Sequence, residues 1–415
     1  MVESNASLIL RAPRLIDGLG GPMVSPGLVA VGEDKIVYAG PAAEAPQFAG
    51  ARTVDLPGAC LLPGLIDMHV HPTYYWEQHD SAPYTYEHEF EDALVYSPVM
   101  IAMLAAANLA RALMAGVTTA RDVGSVDDIM FDVRRGVRKG FIPGPKLYVA
   151  GRLIVPTAGH VHYLPGLANQ ADGPDGFRKA VRQEFRAGAD FIKLANNCQD
   201  LTQEELNAAV DEAHRQGKRV ACHTSRPPSQ RMAIEAGVDT FEHGTPTPEE
   251  IDLAVKKGIA WTPTLNITQE YLNRCERQAK DADPARAKIA RQERAENLQH
   301  IEGKHASMEY ALKAGLRMVA GTDSYMGEVR FDALADEIRW LAEYGCTPMQ
   351  AIQAATSHAA EAMGWSDIGV LRPGKLADVI AVDGDPLADL RAMDRVRLVM
   401  REGKVVKGPV PEGEN

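Results

Sequence analysis

The middle of the chain repeats one pattern of polar and apolar positions. A helical segment ends at a glycine, a short apolar run follows, and a polar residue closes the run. Six units of this kind read MAGVTTARD, RAGADFIKLA, RQGKRVACHT, EAGVDTFEHG, KKGIAWTPT and KAGLRMVAGTD. Glycine suits the end of a helix because it adopts positive φ without steric cost. The pattern therefore predicts helices that alternate with short buried strands.

Two further apolar runs, at residues 64–70 and 146–151, bring the predicted strands to eight. Eight short strands alternating with helices are typical of a (β/α)₈ barrel, which belongs to the α/β class. The competing fold is a doubly wound open sheet. That fold would need a glycine-rich phosphate loop after its first strand, and GxGxxG is absent there. The sequence therefore predicts the barrel.

Both ends of the chain show short strands without intervening helices. The Val-, Ile- and Leu-rich stretches, separated by Gly and Pro clusters, are 7–16, 27–40, 51–61, 377–382 and 396–406. We expect the two ends to pair into one small β-sandwich beside the barrel. The predicted domains are residues 1–63 plus 366–415 for the sandwich and residues 64–365 for the barrel.

The net charge and the cysteine pattern limit which partners and which cellular compartment the sequence favours. The net charge is −12 without long blocks of like charge, which argues against nucleic acid and membrane surfaces as partners. Five scattered cysteines without CxxC spacing favour a reducing compartment. The N-terminal residues lack a signal-peptide pattern, and no apolar stretch approaches the roughly 20 residues of a membrane span. We expect a cytoplasmic homo-oligomer that acts on a small molecule.

The polar residues that close the predicted strands are the candidate active-site residues. They are His69, His71, Lys193, His223, His243 and Asp323. In a (β/α)₈ barrel the active site lies at the carboxyl ends of the strands. Separate strands have no common structural reason to end in such residues. The pattern therefore predicts that four imidazoles, one amine and one carboxylate meet in one small volume.

His69 and His71 form an HxH pair on a strand. Because side chains alternate along a strand, both imidazoles point to the same face and can bind one cation. Asp323 follows Gly321 and Thr322, where it could bind a metal and act as general base and then general acid. The alternative for Asp323 is the N-cap of a following helix.

Lys193 poses an electrostatic problem, because an ammonium group would repel cations at the same site. Its reference pKa of about 10.4 keeps it protonated in water. Burial and nearby cations favour the neutral amine, which can react with carbon dioxide. The resulting carbamate is anionic and has two oxygens that can bridge two metals. The alternative is a lysine that faces the surface, and the four histidines argue against it.

Several motifs together resemble the amidohydrolase superfamily over roughly the entire chain. They are PGLIDMHVHP, GVTTARDVG, ADFIKLA, VACH, FEHG, AGTDS and LRPGKLADVIAVDGDPL. The sequence is most similar to the imidazolonepropionase-like branch. That branch contains Xaa-Pro and Xaa-Arg dipeptidases and some aryl-amide, urea and carbamate hydrolases.

The resemblance implies a metal centre with two divalent cations. It implies that one metal is bound by His69, His71 and Asp323, the other by His223 and His243, and that carboxylated Lys193 bridges them. Zn²⁺ suits these ligands, and Co²⁺ or Mn²⁺ would also fit. His160 matches a histidine that contacts substrate in this branch, and the alternative is a coincidental loop histidine.

The chain departs from the dipeptidases in two places. The loop at residues 195–200 after Lys193 is shorter than theirs. Ser225 stands where the dipeptidases carry tyrosine, which puts their carboxylate-binding arrangement in doubt, although Arg226 could replace part of it. We expect cleavage of the C–N amide bond of an N-acyl amino acid or dipeptide. The alternatives are an aryl amide, carbamate or urea hydrolase and a cyclic-amide hydrolase of the imidazolonepropionase type.

Two insertions interrupt the barrel pattern. The segment 72–98 carries Tyr74, Trp76 and further tyrosines, which suit an aromatic or apolar acyl group or, alternatively, an oligomer interface. The segment 266–307 is charged and helical and is expected to form a lid or an interface. Two rival functions stay open: a mononuclear deaminase, which would not need Lys193, and a non-catalytic scaffold.

Overall fold

The computed structural model describes residues 6–75, 96–164, 166–197, 200–281, 283–326 and 329–409. A parallel barrel surrounded by helices lies beside a β-sandwich, and the predicted fold class is thereby confirmed. The barrel strands are Leu65–Tyr75, Val117–Asp122, Lys146–Val149 with Leu153–Val155, Ile192–Asn196, Val220–Thr224, Thr240–His243, Ala260–Thr262 and the segment 317–326, which ends in Ser324–Met326. A short strand, Ala168–Gln170, pairs in parallel with Leu153–Val155.

Backbone hydrogen bonds join the last strand segment to its two neighbours. The Val319 amide donates to the Trp261 carbonyl at 2.9 Å, and the Met68 amide donates to the Ala320 carbonyl at 3.0 Å. Further along, Ser324 pairs in parallel with Val70. The segment therefore lies between the seventh strand and the first, and it brings the end of the chain's barrel region next to its beginning.

Helices cover the outside of the barrel and end as the glycine pattern predicts. The described helices are Pro98–Met114, Ile129–Arg138, Gly173–Ala187, Gln203–Arg215, Ser229–Ala236, Pro248–Lys257, Leu265–Gln278, Pro284–Ala314, Leu334–Glu343, Pro348–Ala354 and Ser357–Met363, with 3₁₀ turns at Ala42–Glu44 and Leu390–Asp394. The glycine after each repeated helix adopts positive φ, from 69° at Gly217 to 124° at Gly188. Glycine is needed there because a Cβ would strain this conformation. None of these helices is long and apolar enough to cross a membrane.

The sandwich is built from both ends of the chain. One sheet has the strand order Lys35–Pro41, Gly27–Gly32, Leu8–Ala12, Arg52–Asp55. The other has the order Lys404–Lys407, Val396–Arg401, Val379–Asp383, Ala59–Pro63, Arg14–Leu15. Ala59–Pro63 pairs antiparallel with Val379–Asp383, which ties the N-terminal part to the C-terminal part. The exact domain boundaries stay a prediction.

The second sheet of the sandwich has apolar residues on both faces. Leu61 and Ala381 pack with Leu10 of the first sheet. Ile380 and Val382, on the opposite face, belong to the same buried cluster as Leu109 of the barrel helix Pro98–Met114. The sheet therefore serves as the middle layer between the barrel and the outer sheet.

Gly64 connects the sandwich strand to the first barrel strand, and we predict that Gly64→Ala destabilises the fold. A Cβ at this position would lie 2.1 Å from Thr118 Oγ1 and 2.5 Å from its Cγ2. Crowding of this kind typically costs about 1–3 kcal/mol of unfolding free energy. Urea unfolding measures the loss, with Gly21→Ala as the control because no atom lies within 4 Å of its added Cβ. Equal midpoints for the two variants would contradict the prediction.

Candidate metal centre

Three of the predicted ligands form a tight group at the carboxyl ends of the first and last strands. Nε2 of His69 lies 3.3 Å from Asp323 Oδ1, and Nε2 of His71 lies 3.4 Å from the same oxygen. In the described part of the chain, these three residues form the group whose ligand atoms all lie within 4.8 Å of one another. Two imidazoles and a carboxylate at this spacing could hold one divalent cation.

The other two predicted histidines adjoin this group without belonging to it. The ring centroid of His243 lies 4.7 Å from that of His69 and 4.5 Å from that of His223. Nδ1 of His243 is 3.8 Å from Asp323 Oδ2. The structure therefore brings all four imidazoles and the carboxylate to one end of the barrel.

Lys193 is the second residue of the strand Ile192–Asn196 rather than its last, and its charge acts on His223 and His243. Its side chain is buried, and Nζ has no hydrogen-bond partner among the described residues. Burial lowers the pKa of Lys193 to about 8, although the carboxylate of Glu242 raises it. A buried amine without a partner is costly. A buried nitrogen without a partner is compatible with carboxylation of Lys193. The resulting carbamate would be anionic, and its oxygens could bind two cations.

Hydrogen bonds to the second ring nitrogen orient two of the imidazoles. Nδ1 of His71 lies 2.9 Å from the Gly124 carbonyl, which can only accept a hydrogen bond. Nδ1 of His69 lies 2.8 Å from Glu242 Oε2. Both partners favour a proton on Nδ1 and leave the Nε2 lone pair for a metal. Partners of this kind are typical of metal-binding histidines.

The remaining two imidazoles are held through hydroxyl groups. Nδ1 of His243 lies 2.7 Å from Thr264 Oγ1, which leaves Nε2 free of this contact. Nε2 of His223 lies 2.8 Å from Ser225 Oγ, which leaves Nδ1 free of this contact. Each histidine therefore keeps one nitrogen available as a metal ligand.

The protonation states of these side chains suit the binding of divalent cations. Burial lowers the pKa of His223 and of His243 well below the usual value, so both rings are neutral. Burial would raise the pKa of Asp323, but its interactions with His69 and His71 hold that pKa well below the usual range. Neutral imidazoles around an anionic carboxylate form a suitable donor set for Zn²⁺, Co²⁺ or Mn²⁺.

The backbone is strained at two of the ligands. His243 has φ of +65° and Asp323 has φ of +56°, although neither residue is glycine. Such conformations cost about 1–3 kcal/mol each and concentrate at functional sites. The strand Ser324–Met326 follows Asp323, so the alternative in which Asp323 caps a following helix is wrong.

A buried ion pair inside the barrel supports His69, and the sequence analysis did not find it. Arg121 Nη2 lies 2.7 Å from Glu242 Oε1, and Arg121 Nε donates to the Met68 carbonyl at 2.6 Å. Burial would raise the pKa of Glu242, but the charges of Arg121 and Lys193 hold it well below the usual value. The available signal was a charged residue inside each of two strands whose positions are all or nearly all buried.

Asp67 is a second residue that the sequence analysis missed. Its Oδ1 accepts hydrogen bonds from the amides of His69 and Thr322, each at 3.1 Å, and its Oδ2 accepts from Thr322 Oγ1 at 2.7 Å. Burial raises the pKa of Asp67 to about 6. The carboxyl group therefore ties the strand that carries His69 to the segment that carries Asp323.

Two of the predicted substrate contacts lie beside the metal ligands. The ring of His160 stacks on that of His223, with centroids 4.2 Å apart and an interplanar angle of 24°. Burial, followed by the charge of Lys193, lowers the pKa of His160 to about 4, so the ring is neutral. The ring of Tyr74 lies 6.3 Å from that of His71 and 5.1 Å from that of Tyr325.

Arg226 is exposed and lies just beyond the strand Val220–Thr224. The pKa of His300, on the long helix Pro284–Ala314, is lowered to about 4. Burial is the main cause, and the charges of Lys304 and Arg226 add to it. Arg226 and that helix are therefore electrostatically coupled. Trp76 lies outside the described residues, as does most of the insertion 72–98.

The chain belongs to the amidohydrolase family, because the model of that family matches residues 60–406. The predicted superfamily is confirmed, and the protein is a hydrolase. Ochratoxinase from Aspergillus niger is 30% identical over 446 residues, which cover 97% of this chain and 87% of that protein. Imidazolonepropionase from Cutibacterium acnes is 23% identical over 373 residues, which cover 85% of this chain and 83% of that enzyme.

Solved structures agree over nearly the whole chain. A Xaa-Pro dipeptidase with bound methionine in its active site superposes with a TM-score of 0.83 at 27% identity, covering 97% of this chain and 100% of that chain. The crystal structure of A. niger ochratoxinase superposes with a TM-score of 0.83 at 26% identity. The match covers 98% of this chain and 97% of that chain.

We predict that Glu242→Gln weakens metal binding about 10–100-fold, the usual effect of losing a partner that orients a ligand. The amide can present its NH₂ group to His69 Nδ1, and it removes the charge that pairs with Arg121. Competition with a chelator measures the affinity. Glu343→Gln, at an exposed position, is the control. Unchanged affinity in Glu242→Gln would contradict the role assigned to this carboxylate.

Proposed function

We propose that the protein is a binuclear metal-dependent amidohydrolase that cleaves the C–N amide bond of an N-acyl amino acid or a dipeptide. The observation that carries the proposal is the buried amine of Lys193, which has no hydrogen-bond partner among the described residues. This amine interacts electrostatically with the neutral imidazoles of His223 and His243 and with the anionic carboxylate of Asp323. A mononuclear deaminase would have no use for a lysine at this position, and a non-catalytic scaffold would have no reason to retain the full set.

In this proposal one cation is held by His69, His71 and Asp323 and the other by His223 and His243, with carboxylated Lys193 between them. Two bound cations would supply an activated water nucleophile and polarise the scissile carbonyl. Zn²⁺ is the proposed ion, and Co²⁺ or Mn²⁺ also suits the ligands.

Asp323 moves the proton in the proposed reaction. Its low pKa keeps the carboxylate anionic, so it can accept the proton of the attacking water. It then delivers that proton to the nitrogen of the leaving amine. Two imidazoles contact its Oδ1, which fixes the carboxylate against the ligands it serves.

His160 and Tyr74 are proposed to contact the acyl side of the substrate. A neutral His160 can donate one hydrogen bond to the substrate carbonyl, and its stacking on His223 fixes the plane of the ring. Tyr74 lies beside His71, where its ring could pack against an aromatic or apolar acyl group. Trp76 is proposed to extend this surface.

Arg226 is proposed to bind the carboxylate of the substrate's amino-acid part. An exposed guanidinium beyond the strand that carries His223 could form a bidentate pair with a carboxylate. Ochratoxinase and the Xaa-Pro dipeptidase with bound methionine are relatives that agree with this substrate class. The imidazolonepropionase relative keeps cyclic amides as an alternative, beside aryl amides, carbamates and ureas. A cytoplasmic location and homo-oligomerisation stay predictions.

The substrate class is tested by a hydrolysis screen of metal-loaded protein against N-acyl amino acids, dipeptides, aryl amides, carbamates and ureas. We expect two metals per chain and turnover of carboxylate-bearing amides. Arg226→Leu should raise KM for those substrates and leave neutral amides unchanged, because only the former carry the group that Arg226 binds. One metal per chain would favour the deaminase, and an equal effect of Arg226→Leu on neutral amides would refute carboxylate binding.

We predict that Asp323→Asn loses several orders of magnitude in turnover while the protein still binds metal. General acid–base catalysis contributes about 10²–10⁴-fold, and the amide oxygen can still act as a ligand. Steady-state kinetics on protein of measured metal content gives the result. Asp332→Asn is the control, because its carboxylate pairs with Arg330 at the surface. Near-wild-type turnover in a metal-replete Asp323→Asn preparation would refute the role.

A further inference from the structure

The long helix Pro284–Ala314 contributes a buried lysine to the surroundings of the metal centre. Lys304 is only 1% exposed, although most of this helix is exposed or partly exposed. Its Nζ donates to the Pro263 carbonyl at 2.5 Å and to Thr268 Oγ1 at 3.0 Å. A buried cation needs such partners, so these contacts bind the helix firmly to the segment 263–268.

That segment contacts a predicted metal ligand. The Thr264 hydroxyl donates to the Pro263 carbonyl at 2.8 Å. A hydroxyl has one proton, so the same oxygen can only accept from Nδ1 of His243, which lies 2.7 Å away. The hydrogen-bond chain therefore places the ring proton of His243 on Nδ1 and leaves its Nε2 lone pair for a cation.

The turn at Thr264 is stabilised by residues from other parts of the chain. Its φ is +48°, an unfavourable conformation for a β-branched residue. Thr264 precedes the helix Leu265–Gln278, yet its side chain makes no capping hydrogen bond. Instead, buried Glu337 accepts hydrogen bonds from the amides of Leu265 at 3.1 Å and Asn266 at 2.7 Å. Lys304 and Glu337 thus both bind the backbone of this turn.

We propose that Lys304 is a positioning residue of the metal centre, which acts through Pro263 and Thr264 to keep Nε2 of His243 available for the cation. The inference rests on the proposed function for the identity of the ligands. It gives the helical part of the insertion 266–307, predicted from the sequence to be a lid or an interface, a role in positioning a metal ligand.

The test compares Lys304→Met and Thr264→Val with the wild-type protein. The first variant removes the donor to Pro263, and the second removes the hydroxyl while keeping the β-branched shape. We expect both to weaken the binding of one of two Zn²⁺ ions about 10–100-fold and to leave the other unchanged. Chelator competition measures the affinities. The visible spectrum of the Co²⁺-loaded protein should change for one of its two ions.

Matched controls separate this role from general stability. Lys313→Met changes an exposed lysine of the same helix, and Thr264→Ser keeps the hydroxyl. Both should retain wild-type affinities and spectra. If Lys304→Met does not fold, the comparison of Thr264→Val with Thr264→Ser decides. Wild-type affinities and spectra in both Lys304→Met and Thr264→Val would overturn the proposal.

A measurement without metal distinguishes this inference from the proposed function. In metal-free protein labelled with ¹⁵N-histidine, His243 should carry its proton on Nδ1, and the tautomer should become mixed in Lys304→Met. An unchanged tautomer would overturn the inference. A wild-type protein that binds fewer than two metals would instead overturn the proposed function, whatever the tautomer shows.

Discussion

The buried amine of Lys193 is the constraint on which the rest of the site depends. A buried ammonium group without a hydrogen-bond acceptor among the described residues is costly at this end of the barrel. Burial lowers the pKa of Lys193 to about 8, so more of the neutral amine is present near neutral pH than for a lysine in water. Conversion to a carbamate would replace a positive charge by a negative one. The four imidazoles and the Asp323 carboxylate would then supply the remaining ligands of two cations.

The supporting residues show how the fold holds such a site in place. One oxygen of Glu242 contacts His69 and the other pairs with Arg121, so one buried ion pair orients the ring of this predicted ligand. Asp67 ties the first strand to the last, which fixes His69 relative to Asp323. These contacts lie below the ligands, inside the barrel. The interior of the fold therefore fixes His69 and Asp323, while residues just after the strands orient His71, His223 and His243.

The repeat of helix, glycine and apolar strand was sufficient to predict the barrel, because each unit is local and its periodicity is strong. The ligand candidates were predictable for the same reason, since each stands within one of these apolar runs or just after it. The supporting residues Arg121, Glu242 and Asp67 were not, because their role depends on which strands are neighbours in space. Lys304 was even less predictable, because a charged segment gives no sign that one of its lysines is buried.

A crystal structure of metal-loaded protein, with anomalous diffraction recorded at the absorption edge of the bound metal, tests the central claim most directly. We expect two anomalous peaks, one bounded by His69, His71 and Asp323 and the other by His223 and His243, with added density on Lys193 Nζ between them. A single peak beside an unmodified amine at residue 193 would contradict the binuclear centre and the chemistry built on it.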